Sequence, residues 1–67
     1  MIKIKINGIE KEIPKNTTIK ELLSSLGVLN KTMAVAVNMK IVKKDEWDKF
    51  KLNEGDKVEA LNFVGGG

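Results

Sequence analysis

A chain of 67 residues is long enough for one domain and not two, and a domain that small buries only a modest core. It has no cysteine and no histidine, which excludes disulfides, thiolate metal sites, persulfide carriage, serine–histidine and cysteine–histidine nucleophiles and most zinc chemistry. The formal charge is +3, and the 12 basic residues are all lysines mixed with 9 acidic ones. That pattern describes a solvated surface, because bidentate readout of phosphate or guanine favours arginine.

The predicted elements begin at the N-terminus. Ile2, Ile4 and Ile6 alternate with Lys3 and Lys5, the period of a strand with one buried face. Asn7-Gly8 tolerates the positive φ angles of a two-residue hairpin turn. Ile9 to Ile13 is the returning strand, with Glu10 and Glu12 facing out, and Pro14 ends it because proline has no ladder donor. A helix follows. Thr18 and Glu21 fit a capping box, Ile19, Leu22, Leu23 and Leu26 form one apolar stripe at i, i+3, i+4 and i+7, and Gly27 supplies a left-handed residue after the last turn.

Met33 to Val37 is a short continuous apolar run, expected as a strand buried on both faces or central in the sheet. After a turn at Asn38-Met39-Lys40 comes a shorter strand, Ile41-Val42. In the charged segment from Asp45 to Phe50, Trp47 and Phe50 stand three apart and suit one helical turn folded over an edge of the core. Asn53-Glu54-Gly55-Asp56 is a turn by composition, with Asp56 expected to bond local backbone. Lys57 to Phe63 is the last strand. This order predicts an α+β fold, a mixed sheet with one main helix packed on one face. It is the ubiquitin-like β-grasp arrangement over residues 1–64, followed by a flexible tail, Gly65-Gly66-Gly67. No apolar run approaches the roughly 18 residues of a membrane span, and Met1 to Lys5 lacks a signal-peptide core, so the expected location is cytoplasmic.

Side-chain catalysis has little to draw on. Ser24-Ser25 lies on the helix away from any evident base. Asp45, Glu46 and Asp48 could hold a cation, although a charged run among lysines is ordinarily a solvated loop. No metal and no bound cofactor are expected. The three terminal glycines stand apart. Without Cβ atoms they can thread a narrow cleft and deliver a terminal carboxylate into another protein's active site. Val58 and Ala60 share one face of the last strand, and Leu61 and Phe63 the other. If the first face is core, the second displays apolar side chains beside the tail as a docking patch. The alternative has that second face packing under the Trp47 segment.

Several segments then resemble one family. They are Asn7-Gly8-Ile9, Thr18-Ile19-Lys20-Glu21-Leu22-Leu23, Val35-Ala36-Val37-Asn38 with Ile41-Val42, Trp47, Glu54-Gly55-Asp56-Lys57-Val58-Glu59, and Phe63-Val64-Gly65-Gly66-Gly67. In this order and length they resemble the sulfur carriers of thiamine biosynthesis, the ThiS family. The resemblance implies a carrier and not an enzyme. In that family a ubiquitin-activating-like adenylyltransferase uses ATP to adenylate the carboxylate of the terminal glycine, which by position would here be Gly67. Sulfur, supplied in many organisms through a cysteine desulfurase, converts it to a thiocarboxylate. Thiazole synthase then receives the sulfur. Gly65 and Gly66 would thread the partner site, Leu61, Phe63 and Val64 would bind partners, and the chain is expected to end at Gly67 as activation requires. Rival readings are a sulfur carrier of another pathway, such as the small subunit of molybdopterin synthase, a β-grasp module that binds non-covalently, and a ubiquitin-like conjugation tag.

Overall fold

The computed structural model describes residues 1–62. The expectations placed on Phe63, Val64 and Gly65 to Gly67, including the domain boundary after Val64, lie outside them. Five strands form one mixed sheet, in the order β2-β1-β5-β3-β4. They are β1 (Ile2–Ile6), β2 (Ile9–Ile13), β3 (Thr32–Val37), β4 (Lys40–Val42) and β5 (Lys57–Asn62). Helix α1 (Ile19–Ser25) connects β2 to β3.

The hairpin of β1 and β2 forms where Asn7-Gly8 places it, with φ of 51° and 84°, and Ile6 lies opposite Ile9. Ile4, Ile6 and Ile13 are buried beneath the helix, while Lys3, Lys5, Glu10 and Glu12 face solvent.

Helix α1 has only 7 residues, too few to be stable alone, so its N-terminus is tied down repeatedly. Thr18 Oγ1 accepts from the Glu21 N–H at 3.1 Å, and Glu21 Oε1 accepts from the Thr18 N–H at 2.9 Å, completing the capping box. The N–H groups of Ile19 and Lys20, orphaned by the helix start, donate to the carbonyls of Phe50 and Trp47, each at 3.0 Å. Ile19, Leu22 and Leu23 are fully buried, each worth about 1.5–3 kcal/mol. The expected fourth member of the stripe, Leu26, is 38% exposed. It follows the last helical residue, and Gly27 at φ 73° turns the chain away.

Strand β3 corrects an expectation. It is interior to the sheet, but β5 and not β3 is central, and β3 is not buried on both faces. Val35 and Val37 point into the core, Ala34 and Ala36 are half-buried on the other side, and Met33 is exposed beside a register shift between Thr32 and Ala34. A run of small and β-branched residues here reflects one covered face and one open face. The turn into β4 is also tighter than expected. Asn38 and Met39 alone reverse the chain, at φ 52° and 70°, and Lys40 already belongs to β4.

Trp47 follows a 3₁₀ turn over Lys44–Glu46 and is 2% exposed, its indole Nε1 donating to the Val42 carbonyl at 3.0 Å. It is part of the core and not a cover over its edge, and Phe50 packs partly buried against the same cluster. Among the described residues no helix is long and apolar enough to cross a membrane.

Candidate functional site

The expected tail is carried by β5, the strand gripped from both sides. Val58 lies opposite Ile6 of β1 in parallel and opposite Val37 of β3 in antiparallel. Val58 is fully buried and Ala60 partly so, which anchors one face of the strand in the core. Leu61 points the other way and is 61% exposed.

Leu61 faces Ala34 across the ladder, and Ile41 faces Ala36. Together these side chains line a shallow open groove of about 350 Å³ on the sheet face away from the helix, with Asn7 and Glu59 at its margin. Ile41 is 73% exposed. The reading in which Leu61 packs under the Trp47 segment is therefore overturned. Trp47 joins Val42 and the helix residues on the opposite face, and alternation along β5 sends Leu61 away from it. Of the expected partner-binding residues, Leu61 is exposed as required, while Phe63 and Val64 lie outside the described residues, as do Gly65, Gly66 and Gly67. Ile41, Ala34 and Ala36 were not assigned to this patch from sequence. Their pattern reads as ordinary strand, and only the register brings them beside Leu61.

Side-chain amides hold β5 at Lys57 and again at Ala60. At its start, Asn38 Oδ1 accepts from the Lys57 N–H at 3.0 Å. Asp56, 8% exposed, accepts from Asn38 Nδ2 at 3.0 Å and from the Asn53 N–H at 2.8 Å. The local backbone bond expected of Asp56 is present. Near its end, Asn7 Oδ1 accepts from the Ala60 N–H at 2.8 Å, and Asn7 Nδ2 donates to the Ala60 carbonyl at 3.2 Å.

The other candidates stay apart. Ser25 Oγ donates to the Leu22 carbonyl at 2.8 Å, a helix back-bond. Asp45, Glu46 and Asp48 are exposed. Among the described residues no group of three or more acidic side chains is arranged to hold a metal ion. Among the described residues the arrangement offers no nucleophile–base pair. What it offers is a strand held between two neighbours beside an open apolar surface, suited to contact with another protein.

A helix laid across one face of a mixed five-stranded sheet, with the first and last strands parallel neighbours at its middle, defines a ubiquitin-like β-grasp protein. The model of the ThiS family matches residues 4–67, and the chain belongs to that family. It is 35% identical over 65 residues to the sulfur carrier protein ThiS of Bacillus subtilis, covering 96% of this chain and 98% of the relative. It is 39% identical over 66 residues to a thiazole synthase of Paramagnetospirillum magneticum, covering 98% of this chain. The chain spans only 20% of the length of that thiazole synthase, and the same fraction of a second one from Magnetococcus marinus, to which it is 33% identical. The crystal structure of a thiamine biosynthesis protein (ThiS) from Geobacter metallireducens superposes with a TM-score of 0.81 at 28% identity, covering 98% of this chain and all of that one.

Proposed function

We propose that this ThiS-family chain carries sulfur for thiamine biosynthesis as a thiocarboxylate on Gly67. The observation behind the reading is that the family match runs through Gly65, Gly66 and Gly67, in a chain with no cysteine to hold sulfur by any other covalent route. The chain supplies the acyl group and is not itself the catalyst. A carboxylate is a poor electrophile. In a partner's site, a Gly67 carboxylate oxygen attacks the α-phosphorus of ATP, pyrophosphate leaves, and an acyl-adenylate forms. A sulfur nucleophile then attacks the carbonyl carbon, and AMP departs with the bridging oxygen. ATP is thus the partner's substrate and not a cofactor of this chain.

Glycines 65–67 suit this step because the absence of side chains lets the segment enter a narrow cleft. In this reading Leu61, Phe63 and Val64 contact the partner beside that segment. The partners in this reading are a ubiquitin-activating-like adenylyltransferase, a thiazole synthase as sulfur acceptor, and a cysteine desulfurase further upstream. The two thiazole synthase relatives, each of which includes a segment similar to this chain, favour that acceptor. The setting is cytoplasmic.

The test is intact mass after incubation with ATP, sulfide and the activating enzyme of the same organism. The expected result is exchange of one oxygen for sulfur, lost when Gly67 is deleted although the domain stays folded. An unchanged mass, with the enzyme active on another carrier, would favour a β-grasp module that binds without being activated.

A further inference from the structure

We propose that the side-chain amide of Asn7 positions the outgoing end of β5, and through it the presentation of Gly65–Gly67 to an activating partner. The second half of this inference rests on the Gly67 reading above. The backbone register of β1 with β5 stops at Ile6 and Val58. Asn7 adopts φ 51° and starts the hairpin, after its own N–H has donated to the Val58 carbonyl at 2.8 Å. From there the backbone of β1 has nothing more to offer β5.

The Asn7 side chain supplies the next rung. A carboxamide carries the same donor and acceptor as a peptide unit. Here both are used on one residue, with Ala60 N–H to Oδ1 at 2.8 Å and Nδ2 to the Ala60 carbonyl at 3.2 Å. On its other flank Ala60 is in register with Val35 of β3. Ala60 is therefore the last described residue of β5 held from both sides. Leu61 and Asn62 have registered partners in β3 alone, next to the register shift at Thr32 and Ala34. The last described rung that β5 shares with the β1 hairpin is therefore the one the Asn7 side chain supplies.

The hairpin at Asn38 provides an internal control. Asn38 also sits at positive φ, 52°, and its Oδ1 also accepts from β5, but at Lys57, the opposite end of the strand. A purely structural role predicts similar consequences for both asparagines, whereas a positioning role predicts different ones.

The test compares Asn7→Gly, Asn7→Asp and Asn38→Gly in the full chain. Glycine keeps either turn and removes the amide. Aspartate tolerates the left-handed conformation and keeps the acceptor, but sets a carboxylate oxygen against the Ala60 carbonyl. Amide hydrogen exchange in Asn7→Gly is expected to lose about tenfold protection at Ala60 and Leu61, with Ile4 and Val35 unchanged, whereas Asn7→Asp, which keeps an acceptor for the Ala60 N–H, is expected to lose less there. In ATP-dependent thiocarboxylation, KM for the Asn7→Gly chain is expected to rise about tenfold and kcat to stay within about twofold, since binding must now order the strand end. Asn38→Gly is expected to leave KM within about twofold of the parent. Unchanged protection at Ala60 in Asn7→Gly overturns the proposal, and so does an equal rise in KM for Asn38→Gly. If the parent chain gains no sulfur at all, the Gly67 reading fails and takes the functional half with it, while the exchange data still decide whether Asn7 holds the strand.

Discussion

Asn38 donates from Nδ2 to Oδ1 of Asp56 at 3.0 Å, and this bond ties the β3–β4 hairpin to the turn that launches β5. The other Asp56 oxygen accepts from the Asn53 N–H, closing that turn on itself. Asp56→Ala strands both donors. The expected cost is about 1–3 kcal/mol, and each kcal/mol lowers the melting midpoint of a domain this small by roughly 4–8 °C. Thermal unfolding followed by circular dichroism checks this. A shift below about 2 °C would show that water replaces both bonds at no cost.

Trp47 is the only tryptophan in the chain. Trp47→Phe retains most of the apolar volume but deletes the donor that reaches the Val42 carbonyl. A loss of about 1–3 kcal/mol is expected from the bond and the reduced packing. Urea unfolding of the variant by circular dichroism, set against tryptophan emission for the parent, measures it. Equal midpoints would mean that Val42 finds another partner.

The capping box makes a prediction remote from the tail. Thr18→Ala removes the acceptor for the Glu21 N–H, with an expected cost of about 1 kcal/mol. The donations from Ile19 and Lys20 to Phe50 and Trp47 survive. Stability should fall while the rate of sulfur loading at a temperature where the variant is folded stays unchanged. A loading defect in fully folded protein would connect the helix to partner contact, against the site described above.

Leu61→Ala and Ile41→Ala test the open face. Both side chains are well exposed, so stability should change by less than about 0.5 kcal/mol. If this face receives the activating partner, each substitution should weaken binding by about tenfold, as truncation of an interfacial anchor does. Calorimetric titration against that partner gives the number. Unaltered affinity in both variants would move the contact elsewhere.

Local chemistry was the legible part of the fold. Asn7-Gly8, the Thr18–Glu21 capping box, Gly27 and the Asn53–Asp56 turn each have a short-range physical signature, and each element appears where that signature puts it. Two features escaped because they depend on contacts far along the chain, and the tightness of one expected turn escaped for a local reason. Leu52 is 2% exposed although charged and polar residues flank it and no period marks it; its N–H is drawn to the Thr17 carbonyl at 2.8 Å. Met39 at φ 70° lacks the glycine that would announce a two-residue turn. The apolar patch of Ile41, Ala36, Ala34 and Leu61 comes from three strands, and only their register assembles it. For the tail the position was reversed. The glycines were conspicuous in sequence, while the structural contribution lies in the strand before them.

The parallel pairing of β1 with β5 has a mechanical consequence. When a partner draws on the outgoing end of β5 while the start of β1 is held, the load runs along both strands in opposite senses. The bonds between them, at Lys5 with the Asp56 carbonyl and Asn7 with the Val58 carbonyl, are then stretched together in shear instead of being unzipped in turn. A tether built this way resists tension with several bonds at once, so traction on its end reaches the whole sheet before it can peel away the strand.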